Sequence, residues 1–86
     1  MRVEFNRYFL KDLDKLPGAS VKSDVADVIE AVERASSLSQ VPNVKKLKGF
    51  RTAYRIRVGD FRIVVVHGVV EFVRVVNRNT IYKLFP

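Results

Sequence analysis

The stretch from Val44 to Arg62, VKKLKGFRTAYRIRVGDFR, carries seven basic side chains against one acidic residue, Asp60. Its second half decides the fold. Tyr54-Arg55-Ile56-Arg57-Val58 alternates apolar and polar residues with the two-residue period of a strand that has one buried face. Gly59-Asp60 interrupts the alternation, and Phe61-Arg62-Ile63 resumes it. That pattern predicts a hairpin with a two-residue turn, in which Gly59 supplies the positive φ that such turns require. The turn in turn sets the pairing: Val58 faces Phe61, Arg57 faces Arg62, Ile56 faces Ile63 and Arg55 faces Val64. Arg55, Arg57 and Arg62 then share one sheet face, while Tyr54, Ile56, Val58, Phe61 and Ile63 point to the other. Like charges directly across a strand pair are destabilising, so three guanidiniums on one patch imply an anion that belongs there.

Working outward from the hairpin, Arg2-Val3-Glu4-Phe5 alternates and reads as a short first strand. Asn6 is a cap for a helix with Phe9, Leu10, Leu13 and Leu16 on its apolar side, stopped by Pro17-Gly18. Ser20 is the expected cap of a second helix, whose stripe is Val21, Val25, Val28, Ile29, Val32 and Ala35. Asp24, Asp27, Glu30 and Glu33 form its solvated side. Beyond the hairpin, a strand to about Val66, a turn at His67-Gly68 and a strand from Val69 to Val76 complete a three-strand meander. The last segment, Asn77 to Pro86, is compatible with one helical turn or a brief edge strand. The expected fold class is α+β: β-α-α-β-β-β, a mainly antiparallel four-stranded sheet covered on one face by a helix hairpin, in one domain over residues 1–86. Lys45, Lys46 and Lys48 are read as a basic loop before the hairpin.

Composition narrows the function. Without cysteine there is neither a disulfide framework nor a thiolate metal site, which fits a reducing cytoplasm. The charged N-terminus lacks the apolar core of a signal peptide, and no run is long and apolar enough for a membrane helix. Residues 1–40 carry a net charge of −1 and residues 41–86 a net charge of +8. A basic half whose cations sit on strands points to nucleic acid as the partner, rather than to a membrane. A lone histidine and scattered carboxylates make no metal site, and there is no glycine-rich phosphate loop, so neither a metal nor a small-molecule cofactor is expected.

The order of elements, together with Val44-Lys45-Lys46-Leu47-Lys48-Gly49, Tyr54 to Val64, Asn77-Arg78 and Ile81-Tyr82, resembles the RelE/ParE superfamily of bacterial and archaeal toxins over essentially the whole chain. The resemblance implies a RelE-like fold and a toxin of a type II toxin–antitoxin module, held inactive by a cognate antitoxin protein. Its RelE-like branch implies an mRNA interferase, an endoribonuclease that cleaves ribosome-bound mRNA without a metal. Carried over by position, the catalytic set is Arg55, Arg57, Arg62, Arg78 and Tyr82. Lys45, Lys46 and Lys48, with Arg51, fall where relatives contact the ribosome and its 16S rRNA. The ParE-like branch implies instead a DNA gyrase inhibitor without nuclease activity, and a non-toxic member that only binds antitoxin is a third reading.

The chemistry can be weighed on its own terms. Attack of a 2′-hydroxyl on the adjacent phosphate needs an oriented phosphodiester, fixed positive charge on its oxygens and two proton transfers. Arginines meet the first two needs, because their planar fork binds phosphate bidentately. They cannot act as a base, since a guanidinium keeps its proton. This chain has arginine at both positions 55 and 57, at one or the other of which relatives often have lysine, and Asn77 where many carry histidine. Tyr82 is the remaining candidate for proton transfer. His67 is expected in a turn away from the arginines, and Glu71 opposite Val64, within reach of Arg55. Phe50 and Tyr82 are the candidates for stacking on a base.

Overall fold

A computed structural model describes residues 1–85 of the protein; Pro86, the end of the terminal segment, lies outside them. The elements are β1 (Val3–Phe5), α1 (Arg7–Asp14), α2 (Ala19–Arg34), a 3-10 turn (Leu38–Gln40), β2 (Val44–Lys46), β3 (Ala53–Val58), β4 (Phe61–Val66), β5 (Val70–Asn77) and α3 (Arg78–Leu84). The sheet has five strands in the order β1-β5-β4-β3-β2. The β3–β4 and β4–β5 pairs are antiparallel, as is β2 against β3, whereas β1 runs parallel to β5. The α+β class and the meander are therefore as expected, with five strands instead of four. The extra strand is Val44–Lys46, at the start of the expected basic loop. Three residues at a sheet edge bury too little to show an alternation, and their lysines suit an edge that must not recruit further strands. Among the described residues no helix is long and apolar enough to cross a membrane.

Asn6 caps α1 as expected, its side chain accepting the Tyr8 N–H. The start of α2 differs: Gly18, at φ 118°, occupies the cap position, so Ser20 lies inside the first turn. A glycine in that conformation turns the chain directly after Pro17, leaving no room for a linker ahead of a serine cap. Phe9, Val25 and Val32 from the two helices are fully buried against Ile56, Ile63, Val65 and Phe72 of the sheet. Full burial of each is worth about 1.5–3 kcal/mol, so this layer supplies most of the stability. Phe72 is its centre, edge-on to Phe9 and stacked with Phe5, with ring centroids 5.3 Å apart in both pairs. Leu10, by contrast, is exposed.

The opposite sheet face is not open throughout. The terminal segment forms α3, and its Ile81 packs with Leu47, Ala53, Val64 and Val76 into a second apolar cluster on that face. Asn77 caps α3 by accepting the Asn79 N–H. The Arg78 N–H donates to the Asp60 carbonyl at 2.8 Å, tying the start of α3 to the Gly59-Asp60 turn.

One ion pair organises the middle of β5. Asp12 on α1 takes the Arg74 guanidinium in two hydrogen bonds, at 2.6 and 3.0 Å, and accepts the Val75 N–H at 3.1 Å. It thus caps the part of β5 beyond the end of β1. The bond to Asp12 outweighs partial burial and holds the Arg74 pKa above its usual value.

Candidate functional site

The hairpin register is the expected one: Val58 opposite Phe61, Arg57 opposite Arg62, Ile56 opposite Ile63 and Arg55 opposite Val64. Gly59 has φ 57° and Asp60 no positive φ, which identifies a type II′ turn. Tyr54 and Phe61 pack on the helix-covered core. The three strand arginines lie together on the other face. Lys45 of β2 stands directly across from Arg55, extending the basic row to the sheet edge.

Between β2, β3 and β4 this face encloses a cavity of about 240 Å³, lined by Asn43, Val44, Lys45, Arg55, Arg57 and Arg62. Arg62 is the most constrained of its cations. Its Nη1 donates to the carbonyls of Gly59, at 2.8 Å, and Phe61, at 2.9 Å. Desolvation lowers its pKa most, followed by the charges of Arg55, Arg57 and Arg78, while Tyr82 acts in the opposite sense. The lowering reflects partial burial first and crowding of like charges second, around a guanidinium that remains protonated. Arg55, Arg57, Arg78 and Tyr82 are thus the charged or titratable groups that Arg62 feels. Among the described residues no carboxylate forms an ion pair with any of the four arginines; the two ion pairs are Arg34–Glu30 and Arg74–Asp12.

Helix α3 places Arg78 in its first turn, beside the hairpin turn, and Tyr82 four residues later on the same side. Tyr82 is 65% exposed, so it is not a packing residue. It lines a second cavity of about 320 Å³ with Lys46, Leu47, Lys48, Arg55 and Phe85. Arg55 borders both cavities and joins them. Phe50 meets Phe85 edge-on, with centroids 5.7 Å apart, which anchors the loop carrying Lys48 and Arg51 against the end of α3.

The basic residues before the hairpin divide. Lys45 belongs to the arginine cavity, and Lys48 to the α3 cavity. Lys46 pairs in register with Tyr54, so it also borders a cleft on the helix side with Ser37, Leu38 and His67. Arg51 lies in the 47–52 loop between β2 and β3 and lines neither arginine cavity. His67 is exposed in the β4–β5 turn, its ring 6.3 Å from Tyr54 and away from the arginines, as expected. Glu71 is a correction. It stands opposite Val66 and Glu4, not Val64, and its carboxylate accepts from Asn6 at 3.4 Å. Four residues, not the two of His67-Gly68, separate the paired Val66 and Glu71, which moves Glu71 two positions along β4 from Val64, the partner of Arg55. A site residue absent from the sequence reading is Asn43, whose Oδ1 accepts from Arg57 Nη2 at 3.2 Å. Only its place in a Pro-Asn turn hinted at an unusual backbone.

A concave, carboxylate-free cluster of guanidiniums can hold a phosphodiester and stabilise charge that builds on its oxygens. The comparisons with known proteins identify the family and the fold. The family model for the ParE toxin of type II toxin–antitoxin system, parDE, matches residues 3–82. Toxin RelE3 of Methanocaldococcus jannaschii is 39% identical over the full length of both chains. In the crystal structure of the RelB-RelE antitoxin-toxin complex from Methanococcus jannaschii, the matching chain is 35% identical at a TM-score of 0.82, with 96% of this chain and 99% of that one covered. The isolated E. coli RelE toxin, at 23% identity, a TM-score of 0.67 and coverage of 96% and 92%, shares the fold. A basic site on this fold, matched along nearly its whole length, places the chain in the ParE toxin family of type II toxin–antitoxin systems, within the RelE/ParE superfamily.

Proposed function

We propose that this toxin is a metal-independent endoribonuclease of the RelE type, which cleaves ribosome-bound mRNA in the cytoplasm and is held inactive by a cognate antitoxin. The observation that carries the reading is the cavity lined by Arg55, Arg57 and Arg62, with Arg78 and Tyr82 on the adjoining helix and, among the described residues, no carboxylate paired to these arginines. A gyrase-binding surface has no need of three guanidiniums in one concavity; a phosphodiester does.

In this mechanism Arg57 and Arg62, opposed across the hairpin, hold the scissile phosphate. The substrate's 2′-oxygen forms a bond to phosphorus and the bond to the 5′-oxygen breaks, leaving a 2′,3′-cyclic phosphate and a 5′-hydroxyl. The guanidiniums stabilise the charge on the phosphoryl oxygens during that exchange. Arg55 and Arg78 orient the substrate and the leaving group, and Tyr82 assists the transfer of the 2′-hydroxyl proton toward the 5′-oxygen. Lys45, Lys46, Lys48 and Arg51 contact ribosomal RNA. The complex of the RelB antitoxin with the RelE toxin supports an antitoxin partner for this chain as well.

Primer extension on mRNA after induction without antitoxin tests the reading. New 5′ ends within codons are expected for the wild type and none for Arg62→Ala, whose expression leaves growth unimpaired. Growth arrest by Arg62→Ala would remove the phosphate clamp. The second reading, inhibition of DNA gyrase, is favoured by the match to a ParE family model and by Asn77 standing where relatives carry histidine. Loss of gyrase supercoiling activity with no new mRNA ends would establish it.

A further inference from the structure

Asn43 is the sole non-glycine residue with a positive φ among the described residues, at 66°. Few side chains adopt the left-handed region, and asparagine is one of them. In that conformation Asn43 grips Arg57 twice: its carbonyl accepts the Arg57 backbone N–H at 3.1 Å, and its side-chain Oδ1 accepts from Nη2 at 3.2 Å. Arg57 lies directly opposite Arg62, so electrostatic repulsion drives its guanidinium away from the place where the two must converge. A carboxylate would restrain it but would also neutralise the cavity and compete with an incoming anion. A carboxamide restrains the cation through a dipole and leaves its charge available.

We propose that Asn43 is a positioning residue that holds the Arg57 guanidinium in the anion cavity against repulsion from Arg62. This rests on the proposed role of Arg57 as half of a phosphate clamp. Asn43 itself lines the same cavity. The left-handed turn is what brings its side chain back over the edge of β3, so backbone and side chain serve one end.

The experiment compares Asn43→Gly, Asn43→Asp, Arg57→Ala and the Asn43→Gly/Arg57→Ala double variant. Asn43→Gly tolerates the positive φ, so its thermal midpoint stays near the wild-type value and the side chain is isolated. Two readouts are taken: nitrogen NMR of the Arg57 Nε–H group in the isolated chain, and kinetics of mRNA cleavage on programmed ribosomes. In Asn43→Gly the Arg57 signal collapses to the averaged position of a free arginine. Misalignment in the transition state lowers kcat by about tenfold to a hundredfold, with KM changed by about twofold at most. Asn43→Asp keeps the Arg57 signal ordered but raises KM. The double variant is no worse than Arg57→Ala. An unchanged Arg57 signal in Asn43→Gly overturns the inference whatever the activity. So does a double variant in which the two losses multiply. If the signal collapses but Arg57→Ala cleaves normally, Asn43 still positions Arg57 and the clamp reading is what fails.

Discussion

Replacing Arg62 by glutamine should separate stability from function, with a sign set by salt. Arg62 faces Arg57 across the hairpin and feels the charges of Arg55, Arg57 and Arg78. At a separation of roughly 7 Å in water each like-charged neighbour costs about 0.6 kcal/mol, so the three together cost about 2 kcal/mol with no salt. Against this, Nη1 donates to two backbone carbonyls, of Gly59 and Phe61. These partly exposed bonds contribute about 0.5 kcal/mol each, toward the low end for a protein hydrogen bond. At about 10 mM salt, where the Debye length is about 30 Å, Arg62→Gln gains a net of about 1 kcal/mol. At about 1 M salt the repulsion is screened within about 3 Å and the variant loses about 1 kcal/mol. For a domain of this size each kcal/mol moves the midpoint by about 4–8 °C. Thermal unfolding followed by circular dichroism should therefore show Arg62→Gln melting about 5 °C above the wild type in low salt and about 5 °C below it in high salt. mRNA cleavage should fall by about a hundredfold to a thousandfold at either salt, as for loss of a donor to a developing oxyanion. Arg62→Lys, which keeps the charge, should show no low-salt gain. A deficit equal at both salts would refute the reasoning, because it would make Arg62 a structural residue and the site electrostatically relaxed.

Two further outcomes follow from the same geometry. Binding of a non-cleavable oligoribonucleotide carrying a 2′-deoxy group at the cleavage site should weaken by about fiftyfold between about 50 and about 200 mM salt if four guanidiniums meet phosphates, and fluorescence anisotropy should show a shallower slope in Arg78→Ala. Asp12→Ala leaves Arg74 and the Val75 N–H without their partner, so urea unfolding should report a loss of about 2–3 kcal/mol. Asp12→Asn should recover part of that loss by retaining an acceptor for Val75.

The strand pairing at the centre of the site was legible because its determinants are local. A two-residue period and a glycine at one position suffice to put Arg57 opposite Arg62 and to direct Tyr54 and Phe61 inward. The stripe of α2, with Val25 and Val32 fully buried, was equally legible, because a helix repeats its face every few residues. The cap of α2 was not, since whether Gly18 or Ser20 begins the helix depends on how the chain leaves Pro17. Glu71 was misplaced because the connection between β4 and β5 spans four residues between Val66 and Glu71, a length that no period announces.

The amino-acid order alone determined that a basic half-chain presents three arginines on one sheet face, since alternation and turn chemistry act between near neighbours. Tertiary structure decided the rest of the site. It made Val44–Lys46 a strand, because a short edge is defined by its partner. It brought Arg78 and Tyr82 to the arginines by docking α3 through Ile81, a contact made with residues from β2–β3, β4 and β5. And it set Asn43 in a left-handed turn over Arg57, because a grip between residues fourteen apart exists only once both strands are in place. The basic stretch supplies the charge; the fold decides where that charge converges.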